Sequence, residues 1–132
     1  MQSSEQLLVE IASAFPGASD AFTDSSIEAN QDLAALDLDA KLLIVVPAYM
    51  AWCVRNARRP HVLVHDYTVQ ALCEFGRVKN TSIPYLSFKF QCSSEQKAAV
   101  ISFLRWCLNP ELLHHVEQIE RSLRHWSVDE TS

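Results

Sequence analysis

The sequence predicts a mainly α-helical domain, with α+β as the alternative. Three observations carry that expectation. Only two of the 132 residues are glycine while 48% are apolar, a composition that suits packed helices better than loops or disorder. Apolar residues recur at helical spacing in several windows, beginning with Leu7, Leu8, Ile11 and Phe15. Two Ser-x-x-Gln patterns, Ser3 to Gln6 and Ser93 to Gln96, have the form of a capping box, in which each side chain satisfies the other residue's backbone N–H. The length fits one domain spanning residues 1–132. A chain of this size buries roughly two thirds of its unfolded surface and needs no staples. About five helices are expected.

The first helix is expected from about Ser4 to Ala14 and is ended by Pro16-Gly17. Residues 18–30 are small and polar, with Phe22 and Ile27 as isolated apolar anchors. They are expected to form a flexible acidic connection, followed by a short helix from about Gln31 to Leu36. A helix from about Asp39 to Arg58 comes next, with Asp37 or Asp39 as cap and Arg55, Arg58 and Arg59 near its C-terminus, placements that suit the helix dipole. Pro47 predicts a kink or break there. The short run Leu42 to Val46 could alternatively be a buried strand.

Asp66 is placed to cap a helix over about Asp66 to Phe75, and Gly76 to terminate it. Ile83 to Gln91 alternates, with Leu86, Phe88 and Phe90 on one side and Ser87 and Lys89 on the other. That alternation predicts a small β element, which Pro84 confines to an edge or a strand start. Ser93 or Ser94 opens a helix whose stripe is Val100, Phe103, Leu104, Cys107 and Leu108. Asn109-Pro110-Glu111 reads as cap, first position and first-turn acid of a last helix running to about Trp126. The tail, residues 127–132, is expected to be frayed.

The charge distribution is lopsided. Residues 1–40 hold Glu5, Glu10, Asp20, Asp24, Glu28, Asp32, Asp37 and Asp39, with no Lys, Arg or His. Their formal charge is −8; the rest of the chain, with eight acids and eleven bases, is +3, which together give −5. Such a field steers a basic partner and disfavours nucleic acid. No basic region followed by an apolar core stands at the N-terminus, so no signal peptide is expected. The longest strongly apolar stretch, Leu42 to Val54, has 13 residues. A membrane-spanning helix needs about 20, so no span is expected and a cytoplasmic location is.

Catalytic motifs are scarce. The chain has no G-x-S-x-G, P-loop or G-x-G-x-x-G pattern. Cys53, Cys73, Cys92 and Cys107 include no C-x-x-C pair, and their apolar neighbours read as buried free thiols. His61 and His65 are four apart beside Asp66, a spacing that would align two imidazoles on one helix but places no third metal ligand. His114, His115 and His125 read as ordinary surface or half-buried residues, and Trp52, Trp106 and Trp126 as core or half-core. No cofactor, metal or catalytic residue is assigned.

The runs Leu43 to Tyr49 (Leu-Ile-Val-Val-Pro-Ala-Tyr) and Ser94 to Leu104 (Ser-Glu-Gln-Lys-Ala-Ala-Val-Ile-Ser-Phe-Leu), with Ala14-Phe15-Pro16 before them, resemble a family of small, functionally uncharacterised bacterial proteins. Val45 and Val46 stand where that family tends to place aromatics. The chain also resembles immunity proteins of bacterial toxin systems, in particular the partners of type VI secretion nuclease effectors of the TseT type. That resemblance implies a binding protein with no catalytic residues. The expected function is neutralisation of a cognate toxin by occlusion of its basic cleft. The partner-binding residues would be Asp20, Asp24, Glu28, Asp32, Asp37 and Asp39, with Phe22 or Ile27 as apolar anchor. The alternatives are a small Cys/His-dependent or metal-binding enzyme, and a regulatory homo-oligomer, such as a homodimer, that buries the apolar side of Leu42 to Val54.

Overall fold

Local capping sets the first helix. In a computed structural model that describes residues 2–18, 21–33, 42–57, 63–77, 88–109 and 116–127, helix α1 spans Ser4–Ala14. Its reciprocal cap is formed as the sequence predicts. Ser3 Oγ accepts from the Gln6 N–H at 3.1 Å and Gln6 Oε1 accepts from the Ser3 N–H at 3.0 Å. Gly17, at φ +81°, makes the turn that follows, a conformation that costs a β-carbon-bearing residue.

Six further helices complete the described residues: α2 (Asp24–Ala29), α3 (Leu42–Arg55), α4 (Val64–Arg77), α5 (Phe88–Gln91), α6 (Ser94–Cys107) and α7 (Val116–Ser127). The mainly α-helical expectation therefore holds, with seven helices among the described residues where about five were expected. Two of the additions correct the sequence reading. Residues 18–30 are not a bare connection. Thr23 Oγ1 accepts from the Ser26 N–H at 3.1 Å and starts α2, an N-cap signal that lay unread inside a polar stretch.

The second correction concerns Phe88 to Gln91, which are helical. Residues 83–87, the rest of the expected β element, lie outside the described residues, as do residues 34–36 of the expected helix from Gln31 to Leu36, whose described half, residues 31–33, is not α-helical. In a short run, alternation does not separate a strand from a single helical turn. Here burial decides it: both Phe88 and Lys89 are buried, although strand alternation would set them on opposite faces.

Helix α3 is the centre. Every residue from Val45 to Val54 is buried, which fits a helix that is apolar on all sides. Pro47 lies within it and the helix continues past it, so no break occurs. The strand alternative for Leu42 to Val46 is likewise set aside. The chain's own elements cover Val45 to Val54, whereas Ile44 is exposed.

Helix α6 packs on α1 and α7, and α4 on α3 and α7. The second capping box also has a tertiary role. Ser93 and Gln96 exchange bonds of 3.2 and 2.8 Å, and Gln96 Nε2 donates to the Ala14 carbonyl at 3.1 Å. One side chain thus starts α6 and covers an open carbonyl near the end of α1. Ser102 Oγ donates to Glu10 Oε2 at 3.0 Å further along the same interface.

Helix α4 begins two residues before Asp66 and ends after Gly76, so neither residue has the terminal role its type suggests. Gly76 permits a close approach instead. A β-carbon there would lie 2.7 Å from Trp126 Nε1 and 2.8 Å from Trp126 Cδ1. The indole is fixed, because Nε1–H donates to the Leu72 carbonyl at 2.9 Å. Gly76→Ala is therefore expected to destabilise by about 1–3 kcal/mol through overpacking. This outweighs the roughly 1 kcal/mol that alanine gains over glycine inside a helix. Urea denaturation followed by circular dichroism checks the sign.

Candidate functional site

The acidic segment is the feature most in need of a structural account. Asp24, Glu28 and Asp32 fall within the described residues; Asp20, Asp37 and Asp39 lie outside them. The segment is fixed to α3 by three side chains at helical spacing: Tyr49, Trp52 and Arg55. Tyr49 Oη donates to the Asn30 carbonyl at 2.6 Å, and the Phe22 ring meets Tyr49 edge-on at 6.5 Å. Trp52 Nε1–H donates to Glu28 Oε2 at 3.4 Å. Arg55 Nη2 pairs with Asp24 Oδ1 at 2.7 Å. Gln31 adds a tie beyond α3, since its Oε1 accepts from the Leu63 N–H at 2.6 Å.

The arrangement follows from side-chain type. Tyrosine and tryptophan present an apolar body to the core and a polar tip at its edge. Residues i, i+3 and i+6 lie along one side of a helix, so three polar tips form a row that receives α2. Burial, and secondarily the negative charge of Asp32, raise the Tyr49 hydroxyl above its usual value of 10.0 and keep it a neutral donor.

These contacts change what the acids do. Asp24 and Glu28 each have a local partner, one a cation and the other an indole N–H. The Asp24–Arg55 pair is partly exposed, with side chains 47% and 32% accessible, and pairs of that kind contribute about 0–1 kcal/mol. Its value is positional. Arg55, read from sequence as helix-end electrostatics, is a partner for the acidic segment. Ile27 is corrected: at 1% exposure it belongs to the core and offers no surface to a partner. Phe22 is only partly buried against the core. The Tyr49-Trp52-Arg55 spacing is the signal that sequence reasoning passed over.

His61, His114 and His115 lie outside the described residues. His65 Nε2 stands 3.2 Å from the Asn56 carbonyl and its ring meets Trp52 edge-on. Among the described residues no three His, Cys, Asp or Glu side chains gather as metal ligands.

All four cysteines are free and buried. Burial raises each thiol, Cys53 and Cys92 from 9.0 to about 12. The thiolate is the reactive form, so native protein at pH 8 is expected to leave all four unmodified by an aromatic disulfide reagent, with rapid reaction once urea unfolds it. The same raised values set a pH effect. Unfolded thiols ionise near 9, whereas Cys53 and Cys92 in the folded state hold their protons to about 12. The stability contribution is complete below pH 9 and is lost as pH rises from about 9 to about 12. A urea midpoint that falls through that window is the expected result.

No helix among the described residues is long and apolar enough to cross a membrane. Comparison of the chain with protein families, curated proteins and solved structures gives no match.

Proposed function

We propose that this chain is a binding protein of the immunity type, which neutralises a cognate bacterial toxin in the cytoplasm of the cell that makes it. The toxin in this reading is a nuclease effector. Its cleft is basic because it holds phosphates, and the acidic segment of residues 20–39 lies over it without catalysing anything. The observation that carries the reading is the charge separation, −8 over residues 1–40 against +3 over the rest. The anchoring of its described part, through Asp24, Glu28 and Asn30, on Tyr49, Trp52 and Arg55 supports it further. A face held in place before binding loses less conformational entropy on association than a tail that must be ordered. Complementary charge raises the association rate and selects against acidic competitors. Buried thiols with raised proton affinity also favour binding over nucleophilic catalysis.

The test is genetic and then kinetic. Co-expression with the product of the neighbouring gene is expected to restore growth to cells that the product alone kills. Charge reversal at Asp20, Asp32, Asp37 and Asp39 is expected to abolish that rescue in a protein that still melts cooperatively. A neighbouring product that is harmless, or rescue undiminished by the four reversals, would contradict the proposal.

A further inference from the structure

We propose that the cavity between α4 and α7 is a binding site for a small inorganic oxyanion of the sulfate or phosphate class. The cavity measures about 50 Å³ and is lined by Cys73, Glu74, Arg77, Gln118, Arg121, Ser122 and His125. That volume exceeds what one water requires.

Two buried polar atoms at this cavity have no nitrogen or oxygen partner among the described residues. Ser122 is 1% exposed, and apart from the Cys73 thiol beside it its Oγ has no hydrogen-bond partner. His125 Nδ1 has none either. An orphaned buried donor costs about 1–3 kcal/mol, so two at one cavity require an account. Both groups can donate, Ser122 through its hydroxyl and His125 through an Nδ1–H tautomer or as imidazolium.

The surrounding charge is mainly positive. Arg77 and Arg121 line the cavity. Lys89 Nζ lies behind it, donating to the His125 carbonyl at 3.0 Å, and Arg124 adds a further positive field at His125. Glu74 is the one carboxylate of the lining, and it is held by Arg77 Nη2 at 2.8 Å to each oxygen. Arg121 has no such carboxylate among the described residues. Arg121, itself exposed, lines this small volume together with the Ser122 hydroxyl and the His125 ring, and a guanidinium, a hydroxyl and an imidazole N–H suit the several acceptor oxygens of a tetrahedral anion.

The cations act directly on His125. Desolvation, followed by the charges of Lys89, Arg124, Arg77 and Arg121, lowers the proton affinity of His125 below its usual 6.5. A bound anion would oppose those cations and raise it. This inference is independent of the immunity reading, which involves other residues.

The probe is sodium sulfate, a dianion from pH 5 to 8. The readout is the His125 ring proton followed by NMR across that range, assigned with a His125→Gln variant. Sodium chloride at matched ionic strength controls for screening of the cations. The expected result is a saturable rise of about one pH unit or more in the His125 midpoint with sulfate but not chloride. Arg121→Gln and Ser122→Ala are expected to weaken sulfate binding by about tenfold or more, with unchanged melting temperatures. Equal responses to the two salts, a response that never saturates, or sulfate binding undiminished in both variants would overturn the proposal and leave water as the occupant.

Discussion

Phe88→Ala is expected to destabilise the protein by about 3–5 kcal/mol, the range for truncating a fully buried aromatic. The ring is 0% exposed and touches three others. It stacks on Phe15 at 6.2 Å, tilts against Phe75 at 5.4 Å and meets Trp126 edge-on at 5.9 Å. Phe15 closes α1, Phe75 belongs to α4 and Trp126 to α7. One side chain from a four-residue helix thus joins three longer helices. Aromatic pairs add about 0.5–1.5 kcal/mol each beyond the area they bury. Total stability of a domain is only about 5–15 kcal/mol, so the variant should lie near its unfolding threshold. Urea denaturation checks this by a large fall in midpoint at unchanged slope. A loss under about 1 kcal/mol would mean that the cluster collapses around the gap.

Lys89→Met should cost roughly 2–4 kcal/mol, from two carbonyls that lose a charged donor at about 1–3 kcal/mol each, offset by the apolar stem that methionine retains. Lys89 is 2% exposed, and its Nζ donates to the Gly76 carbonyl at 3.3 Å and the His125 carbonyl at 3.0 Å. Those carbonyls lie in the last turns of α4 and α7, where backbone acceptors lack partners within their helix and a cation is favoured. Thermal melts of Lys89→Met and Lys89→Ala should both shift downward, alanine further because it also removes the stem. Wild-type stability in Lys89→Met would show that the two carbonyls find other donors.

Both effects arise at the place where sequence reading and structure differ most. Phe88, Lys89 and Phe90 alternate as a strand would, and a buried lysine is not expected at a position that alternation assigns to solvent. Only the tertiary fold supplies the carbonyls that make its burial favourable. Gly76 is a similar case: its type signals a helix end, and its actual role depends on Trp126, fifty residues away in the chain. By contrast, the two capping boxes and the span of α1 are decided by near neighbours, and the sequence shows them directly; over Leu42 to Val46 it leaves helix and buried strand open, and packing decides for helix.

The acidic segment was legible as charge and only partly as structure. Asp24 and Glu28 look idle in sequence because Arg55 and Trp52 lie 31 and 24 residues away. Thr23 is a cap signal that a polar stretch conceals. The contacts to α3 give residues 24–30 of that segment a fixed base. Ile27 belongs to that base, and Phe22 packs partly against it.

The central claim is that this face steers association with a basic partner. The most direct measurement is the association rate with the neighbouring gene's product by stopped flow, across a salt series, for the wild-type chain and for Asp20→Lys/Asp32→Lys/Asp37→Lys/Asp39→Lys. Electrostatically steered pairs associate at about 10⁸–10⁹ M⁻¹s⁻¹ in low salt, against roughly 10⁵–10⁶ M⁻¹s⁻¹ without steering. The wild-type rate should be high and fall steeply with salt, and the reversed chain should be slow with a flat or inverted dependence. Equal rates and equal salt slopes for the two proteins would contradict the account.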